Sequence, residues 1–292
     1  MPMSMSQARF GSMMLAFTGV LLSFARHSTA ADDGREIQIR RTPQNVRFGF
    51  IGGTIKPQQP VATLIIVAHG LEEMQRQPVY TQVADILAGH GWLSVVIDPP
   101  CHGEDQRAGE PSQLDGWRHR LESSEEFIPA FTSKASAVLD FLIKEGITNE
   151  KRVAVCGTSR GGFLAYHFAA ADSRIKAAAG ISPVTRLTAL REFATTTHRQ
   201  KAEQLDVARL AEKLAGRAVW LSIGNNDLRV STDDAIAFTR EVVRASARPD
   251  TPNAVIPVEL LVSPTPGHSK IDQAHERLAV WLLSQIPLDE SR

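Results

Sequence analysis

One stretch of seven residues, Cys156-Gly157-Thr158-Ser159-Arg160-Gly161-Gly162, constrains this chain more than any other. It follows a β-branched apolar run at 153–156 and precedes a helical pattern at 163–171, so its G-x-S-x-G core falls on a strand-to-helix turn. A serine on such a turn is held in a strained backbone with its hydroxyl raised above the edge of a sheet. The flanking glycines are required because strand and helix approach too closely for side chains there. The helix that follows favours negative charge at its N-terminus, and the N–H of the residue after the serine is placed to bind an oxyanion.

The rest of the chain repeats the same alternation. Strand-like segments fall at 36–40, 46–51, 62–68, 92–97, 153–156, 175–181, 218–223 and 255–262, eight in all. The runs Ala62-Thr63-Leu64-Ile65-Ile66-Val67-Ala68 and Trp92-Leu93-Ser94-Val95-Val96-Ile97 are continuous rather than alternating, as parallel strands buried on both faces are. Helical patterns at 80–90, 125–145, 163–171, 206–214, 233–245 and 271–284 separate or follow them. The reading is an α/β protein with a mostly parallel sheet and helices on both faces. No internal repeat or linker divides it, so residues 31–292 read as one domain.

On these residues the chain resembles the α/β-hydrolase superfamily: serine esterases, dienelactone hydrolases and the catalytic domain of prolyl oligopeptidases. The resemblance covers nearly all of residues 31–292. It implies an eight-stranded α/β-hydrolase sheet with a nucleophile after the fifth strand, an acid after the seventh and a histidine after the eighth. Ser159 follows the fifth strand. Asp227 lies in Gly224-Asn225-Asn226-Asp227, the loop leaving the seventh; Asp233 and Asp234 read instead as first-turn residues of the next helix, behind the cap candidates Ser231 and Thr232. His268 lies in the Pro/Gly loop Pro264-Thr265-Pro266-Gly267-His268, whereas His275 falls inside the last helix and reads as a surface or packing residue. The order Ser159, Asp227, His268 is that of the fold's catalytic triad. Ala68-His69-Gly70-Leu71 ends the third strand, and the resemblance implies that Leu71 N–H and Arg160 N–H form the oxyanion hole, with His69 shaping the loop.

Other possibilities are narrowed by composition and spacing. Lys plus Arg and Asp plus Glu are both 32, so no net basic excess points to nucleic acid. Two cysteines are too few for a disulfide-stapled scaffold. In the family's strand order the strands before Cys101 and at Cys156 flank the third, which puts the two backbones about 10 Å apart, beyond the roughly 7 Å a disulfide spans; only a bend in the Cys101 loop would pair them. Asp98, Cys101, His102 and His119 are metal-ligand types, but their spacing matches no common zinc pattern, and Asp98 and His102-Gly103 read as a recurrent family loop. None of the reactions considered needs a metal or cofactor.

The N-terminus reads as an export signal: Arg9, a mostly apolar stretch at 10–25, then Ser28-Thr29-Ala30 as a cleavage site. Cleavage near Ala30 predicts a secreted or periplasmic protein with no membrane attachment. Pocket-shaping segments are expected in a long loop at 102–124 and in a short lid at 182–200, giving an open or lightly covered site. The Ser159-Arg160 pair is similar to one in glucuronoyl esterases, whose arginine helps stabilise the oxyanion. That likeness raises the question of whether Arg118, Arg120, Arg186 and Arg191 face an acidic sugar or are ordinary solvated arginines; shorter length and different loops set this chain apart from those enzymes. The leading expectation is an exported serine hydrolase cleaving a carboxylic ester, of a small molecule or a carbohydrate. A peptidase or amidase, an acyltransferase on the same triad, and a non-catalytic binding module are the alternatives.

Overall fold

The computed structural model describes residues 36–52, 57–248, 250 and 254–287. The expected signal at 1–30 and its cleavage site lie outside them. The strands are β1 (Ile37–Arg41), β2 (Arg47–Ile51), β3 (Val61–Val67), β4 (Leu93–Val96), β5 (Thr148–Thr158), β6 (Ile175–Ile181), β7 (Ala218–Gly224) and β8 (Val258–Ser263). They form one eight-stranded sheet in the order β1-β2-β4-β3-β5-β6-β7-β8. β2 pairs antiparallel with both β1 and β4, and every pairing from β4 through β8 is parallel. This is the mostly parallel sheet expected from the alternation of apolar runs, and the α/β-hydrolase fold that the resemblance implied.

Alternate residues of one strand feed opposite cores. Ile65 and Val67 of β3 join one cluster, Leu64 and Ile66 the other. Val219, Leu221 and Ile223 of β7 point one way and Trp220 the other. A strand covered on both sides cannot alternate with polar residues, which explains the unbroken apolar runs. The first cluster is covered by α4 (Phe127–Lys144), α5 (Arg160–Ala171) and α8 (Thr232–Ser246); the second by α1 (Leu71–Arg76), α2 (Gln82–Ala88) and α9 (Ala274–Gln285). In α4, Phe127, Phe131, Ala135, Val138 and Leu142 recur at three- and four-residue steps and are all buried, so the helix is held by its apolar stripe.

The segment at 102–124 departs from the expected loop. Its second half is α3 (Gln113–Glu122), with Leu114, Trp117 and Leu121 in the core. Gly116 sits inside this helix because a Cβ there would stand 2.3 Å from the Pro111 carbonyl oxygen and 2.6 Å from Cys101 Cβ. The helix is pinned to the loop after β4 by Trp117 Nε1–H, which donates to the Pro100 carbonyl at 2.7 Å, and by Gln113 N–H, which donates to the Cys101 carbonyl at 2.9 Å. The segment at 182–200 is compact: Val184, Leu187, Leu190 and Phe193 are buried in the first core, and α6 (Arg199–Gln204) and α7 (Ala211–Leu214) follow it. Cys101 and Cys156 are both buried free thiols, on segments separated by β3, as the strand order requires. No helix among the described residues is long and apolar enough to cross a membrane.

Candidate active site

Ser159 sits where β5 becomes α5, at φ 53° and ψ −115°. For a residue with a Cβ this left-handed backbone costs on the order of 1–3 kcal/mol, so its surroundings must enforce it. They do so through the backbone: Ser159 N–H donates to the Ile181 carbonyl at 2.9 Å, and the Ser159 carbonyl accepts from Gly162 and Val184 N–H, both at 3.0 Å. A Cβ on Gly157 would lie 2.1 Å from the Gly161 carbonyl carbon, and one on Gly161 1.8 Å from the Val67 carbonyl oxygen. Both glycines are therefore demanded by the crossing of β5, α5 and β3.

The strand ends bring three side chains together. His268 Nε2 lies 3.1 Å from Ser159 Oγ, and His268 Nδ1 lies 2.7 Å from Asp227 Oδ2. The arrangement that satisfies all three has Ser159 Oγ–H donating to Nε2 and Nδ1–H donating to the aspartate. Asp227 is buried and its other oxygen accepts from Arg229 N–H at 3.0 Å and Val230 N–H at 3.2 Å. Burial works to raise the Asp227 pKa, but the hydrogen bond and charge attraction of His268, with the two backbone N–H donors, outweigh it and hold the carboxyl below its ordinary range. The neighbouring Ser231 caps α8 by accepting from Asp234 N–H at 3.1 Å, so Asp233 and Asp234 lie in the helix's first turn as expected.

The two expected oxyanion donors are placed differently. Arg160 N–H belongs to the first turn of α5, whose leading N–H groups have no carbonyl one turn back to bind. Leu71 N–H, by contrast, donates to Asp98 Oδ1 at 2.8 Å. This corrects the expectation for Leu71: its N–H is occupied by a carboxylate and is not presented to a substrate. Asp98 is itself buried, which pushes its pKa up against the pull of Leu71 N–H and Arg47. Its second oxygen meets Arg47 Nη1 at 3.3 Å, with both side chains under 10% exposed. Asp98 thus ties the loop after β3 to β2 and β4.

A cavity of about 330 Å³ opens beside Ser159, lined by His69, Tyr80, Arg160, His268, Lys270 and His275 among others. Arg160 Nη1 donates to His102 Nε2 at 3.0 Å and to Gln113 Oε1 at 2.6 Å. His102 Nδ1 lies 2.7 Å from the Pro100 carbonyl, which makes it the donor and leaves Nε2 as the acceptor for Arg160. Burial, aided by the Arg160 charge, holds both His69 and His102 down at about 4. His69 stacks against Tyr80 with ring centroids 4.9 Å apart and borders His102 edge-on at 5.8 Å, so it shapes the loop as anticipated. His275 is buried in α9 and lines the cavity.

The four arginines considered for an acidic sugar are otherwise engaged. Arg120 is buried between Asp105 and Glu110, both at 2.6 Å; Arg118 faces Asp115, Arg186 faces Asp206 and Asp234, and Arg191 faces Glu192. Among the described residues no three of His, Cys, Asp and Glu are grouped to hold a metal ion; Asp98 and His102 are committed to the contacts above. Sequence reading did not anticipate the cavity roles of Tyr80, Lys270 and His275, nor the anchoring of Arg160 by Gln113. The one available signal was Arg160's place beside Ser159.

The sheet order, the strand-to-helix turn and the hydrogen-bonded Ser159, His268 and Asp227 define a serine hydrolase of the α/β-hydrolase fold. The chain belongs to the Hydrolase_4 family, described as serine aminopeptidase S33, whose profile matches residues 59–262. The match contains Ser159 and Asp227 and stops short of His268. No curated protein sequence matches. Among solved structures, TT1662 from Thermus thermophilus superposes with a TM-score of 0.64 at 15% identity, covering 87% of this chain and 99% of that one. A puromycin-hydrolyzing peptidase from Mycobacterium tuberculosis gives 0.64 at 16% identity over 87% of this chain and 40% of the peptidase. A cold-adapted esterase from an Arctic intertidal metagenomic library gives 0.58 at 17% identity over 85% of this chain and 91% of the esterase. At such identities the likeness is one of fold, and this chain spans under half the length of that peptidase.

Proposed function

We propose that this protein is an exported serine hydrolase that cleaves a carboxylic ester through an acyl-enzyme on Ser159. The observation that carries the reading is the continuous hydrogen-bonded line Ser159–His268–Asp227 opening onto a cavity. His268 Nε2 takes the Ser159 proton as Oγ attacks the acyl carbon. The developing imidazolium is held by Asp227, whose carboxylate also fixes the Nδ1–H tautomer. The tetrahedral oxyanion forms at the N-terminus of α5 beside Arg160 N–H. His268 then returns its proton to the departing alcohol, and water repeats the sequence to free the acid and Ser159. Export rests on the apolar stretch at 10–25 and the small residues ending at Ala30.

A peptidase reading has support of the same weight, from the family's description as a serine aminopeptidase and the fold shared with a puromycin-hydrolyzing peptidase. The same three groups attack an amide, with the added demand that the leaving amine be protonated. The deciding experiment is fluorophosphonate labelling of the protein and of Ser159→Ala, followed by matched aryl esters and aminoacyl anilides. Labelling confined to Ser159 with turnover of esters alone supports the ester reading. Turnover of the anilides transfers it to the peptidase, and an unlabelled, folded protein removes both.

A further inference from the structure

Among the described residues, the cavity beside Ser159 is lined by two formal cations, Arg160 and Lys270, and by no carboxylate. Many arginines of the molecule are paired with carboxylates, although Arg217 meets only carbonyl oxygens. Arg41, Arg47, Arg107, Arg120, Arg174 and Arg229 each reach a carboxylate. Arg160 is fixed instead by two neutral acceptors, His102 Nε2 and Gln113 Oε1, and both engage the same nitrogen, Nη1. A guanidinium has five donors in a planar fork. With Nη1 tied back, the Nε and Nη2 edge is the one suited to a bidentate oxygen ligand. The anchor is built to keep its acceptors neutral: His102 spends its Nδ1–H on the Pro100 carbonyl, so its Nε2 cannot be a donor toward Arg160 without a charge that burial opposes.

A partly buried cation with no carboxylate in contact is costly. Glu192 attracts Arg160 only from a distance and is itself paired with Arg229 at 2.6 Å, so an oriented guanidinium lining the cavity has a use when its contacting partner arrives with the substrate. Resting on the serine-hydrolase reading above, we propose that Arg160, assisted by the exposed Lys270, forms a carboxylate-binding subsite, and that the natural substrate is an ester retaining a free carboxylate. The carboxylate lies either on the acyl part, as in a dicarboxylic monoester, or on the alcohol part, as in an ester of a hydroxy acid. Its two oxygens supply the contacting anion that Glu192, committed to Arg229, does not, and set the scissile carbonyl over Ser159.

The test compares ester pairs that differ in one charge and one methyl group. For the acyl side these are mono-(4-nitrophenyl) glutarate and its methyl ester; for the alcohol side, 4-carboxyphenyl acetate and its methyl ester. In one pair the wild-type protein is expected to favour the anion by about tenfold or more in kcat/KM, the size of one charge-assisted hydrogen-bonded pair, with the preference shrinking as salt is added. In Arg160→Gln the anion-to-neutral ratio of that pair is expected to fall to within about threefold of unity, whatever happens to the absolute rates. Neutral esters turned over with no anion preference in either pair overturn the subsite and leave the serine hydrolase standing. A preference that survives in folded Arg160→Gln overturns it as well. If that variant does not fold, the wild-type ratio and its salt dependence decide. Absence of both ester turnover and Ser159 labelling removes the parent reading and the subsite together.

Discussion

Arg160 donates to a histidine that is held neutral: His102 Nε2 accepts from Arg160 Nη1 at 3.0 Å while His102 Nδ1 meets the Pro100 carbonyl at 2.7 Å. Burial is the main reason this imidazole resists protonation down to about 4, with the Arg160 charge adding to it. The pair links β4's loop to the turn carrying Ser159, so the protonation state of one residue governs the posture of the other.

Acid should therefore loosen the protein from about pH 6.5 downward. His102 and His167 are both buried with pKa values lowered from 6.5 to about 4, in each case chiefly by burial. Between these values the two imidazoles bind more protons in the unfolded chain than in the folded one, so their contribution to stability is complete above about pH 6.5 and drains away as pH falls toward 4. The loss is offset in part by Asp206, which burial raises to about 6 and which gains as pH falls. Urea midpoints at pH 7 and pH 4.5 are expected to differ by the equivalent of a few kcal/mol. His167 lies away from the site and donates from Nε2 to the Leu205 carbonyl at 3.0 Å. In His167→Gln, which keeps a donor, the midpoint should fall less steeply with pH. A slope equal to wild type would remove His167 from the account.

Ser159→Ala should reduce ester turnover to the background left by binding and the oxyanion site, a loss of at least about a thousandfold in kcat. Asp227→Asn tests tautomer control separately. The amide's NH₂ facing His268 Nδ1 would hold the imidazole in the wrong form, and a loss near 10⁴-fold in kcat is expected with little change in KM. Because Asp227 also accepts from Arg229 and Val230 N–H, the Asn variant keeps an oxygen for them and should remain folded. Steady-state kinetics with circular dichroism on the same samples checks both points.

The parts readable from the linear chain were those set by local pattern. The runs around Ile65 and Val95 mark strands because burial on both faces leaves no polar alternation. Once the strands are counted, Ser159, Asp227 and His268 fall at strand ends. What escaped reading depends on distant partners. α3 carries a glycine at its centre, which local propensity disfavours in a helix, and only the approach of Cys101 and Pro111 explains Gly116. Leu71 N–H looks like a free donor until Asp98, 27 residues on, is seen to accept from it. Arg160 takes its meaning from His102 and Gln113, which lie 58 and 47 residues away.

Gly161→Ala should fail more completely than any substitution in the triad. Its new Cβ would meet the Val67 carbonyl oxygen at 1.8 Å, a contact with the backbone of a central strand that cannot rotate aside. Either α5 lifts off β3 or the sheet distorts, and a loss beyond about 4 kcal/mol is expected. Soluble expression and thermal melting compared with Ser159→Ala would show it. An alanine variant melting within a few degrees of wild type would mean that the turn has more freedom than this packing allows.

Asp98 performs three duties with a single carboxylate: it accepts from Leu71 N–H, accepts from Glu104 N–H at 3.4 Å and neutralises Arg47. Asp98→Ala removes all three, leaving Arg47 with the more exposed Glu72 and Glu104 and the loop after β3 without its acceptor. Breaking a buried pair from one side costs about 3–5 kcal/mol, and the loop bearing His69 and Leu71 borders the cavity, so turnover should fall along with stability. Asp98→Asn keeps an oxygen for Leu71 N–H but loses the charge facing Arg47. It should recover most of the turnover while regaining only part of the stability. The two variants are to be compared by urea unfolding and by kcat on one neutral aryl ester. If Asn and Ala are equally slow, the charge on Asp98 rather than its hydrogen bond to Leu71 sets the loop, and the anchoring role passes to Arg47.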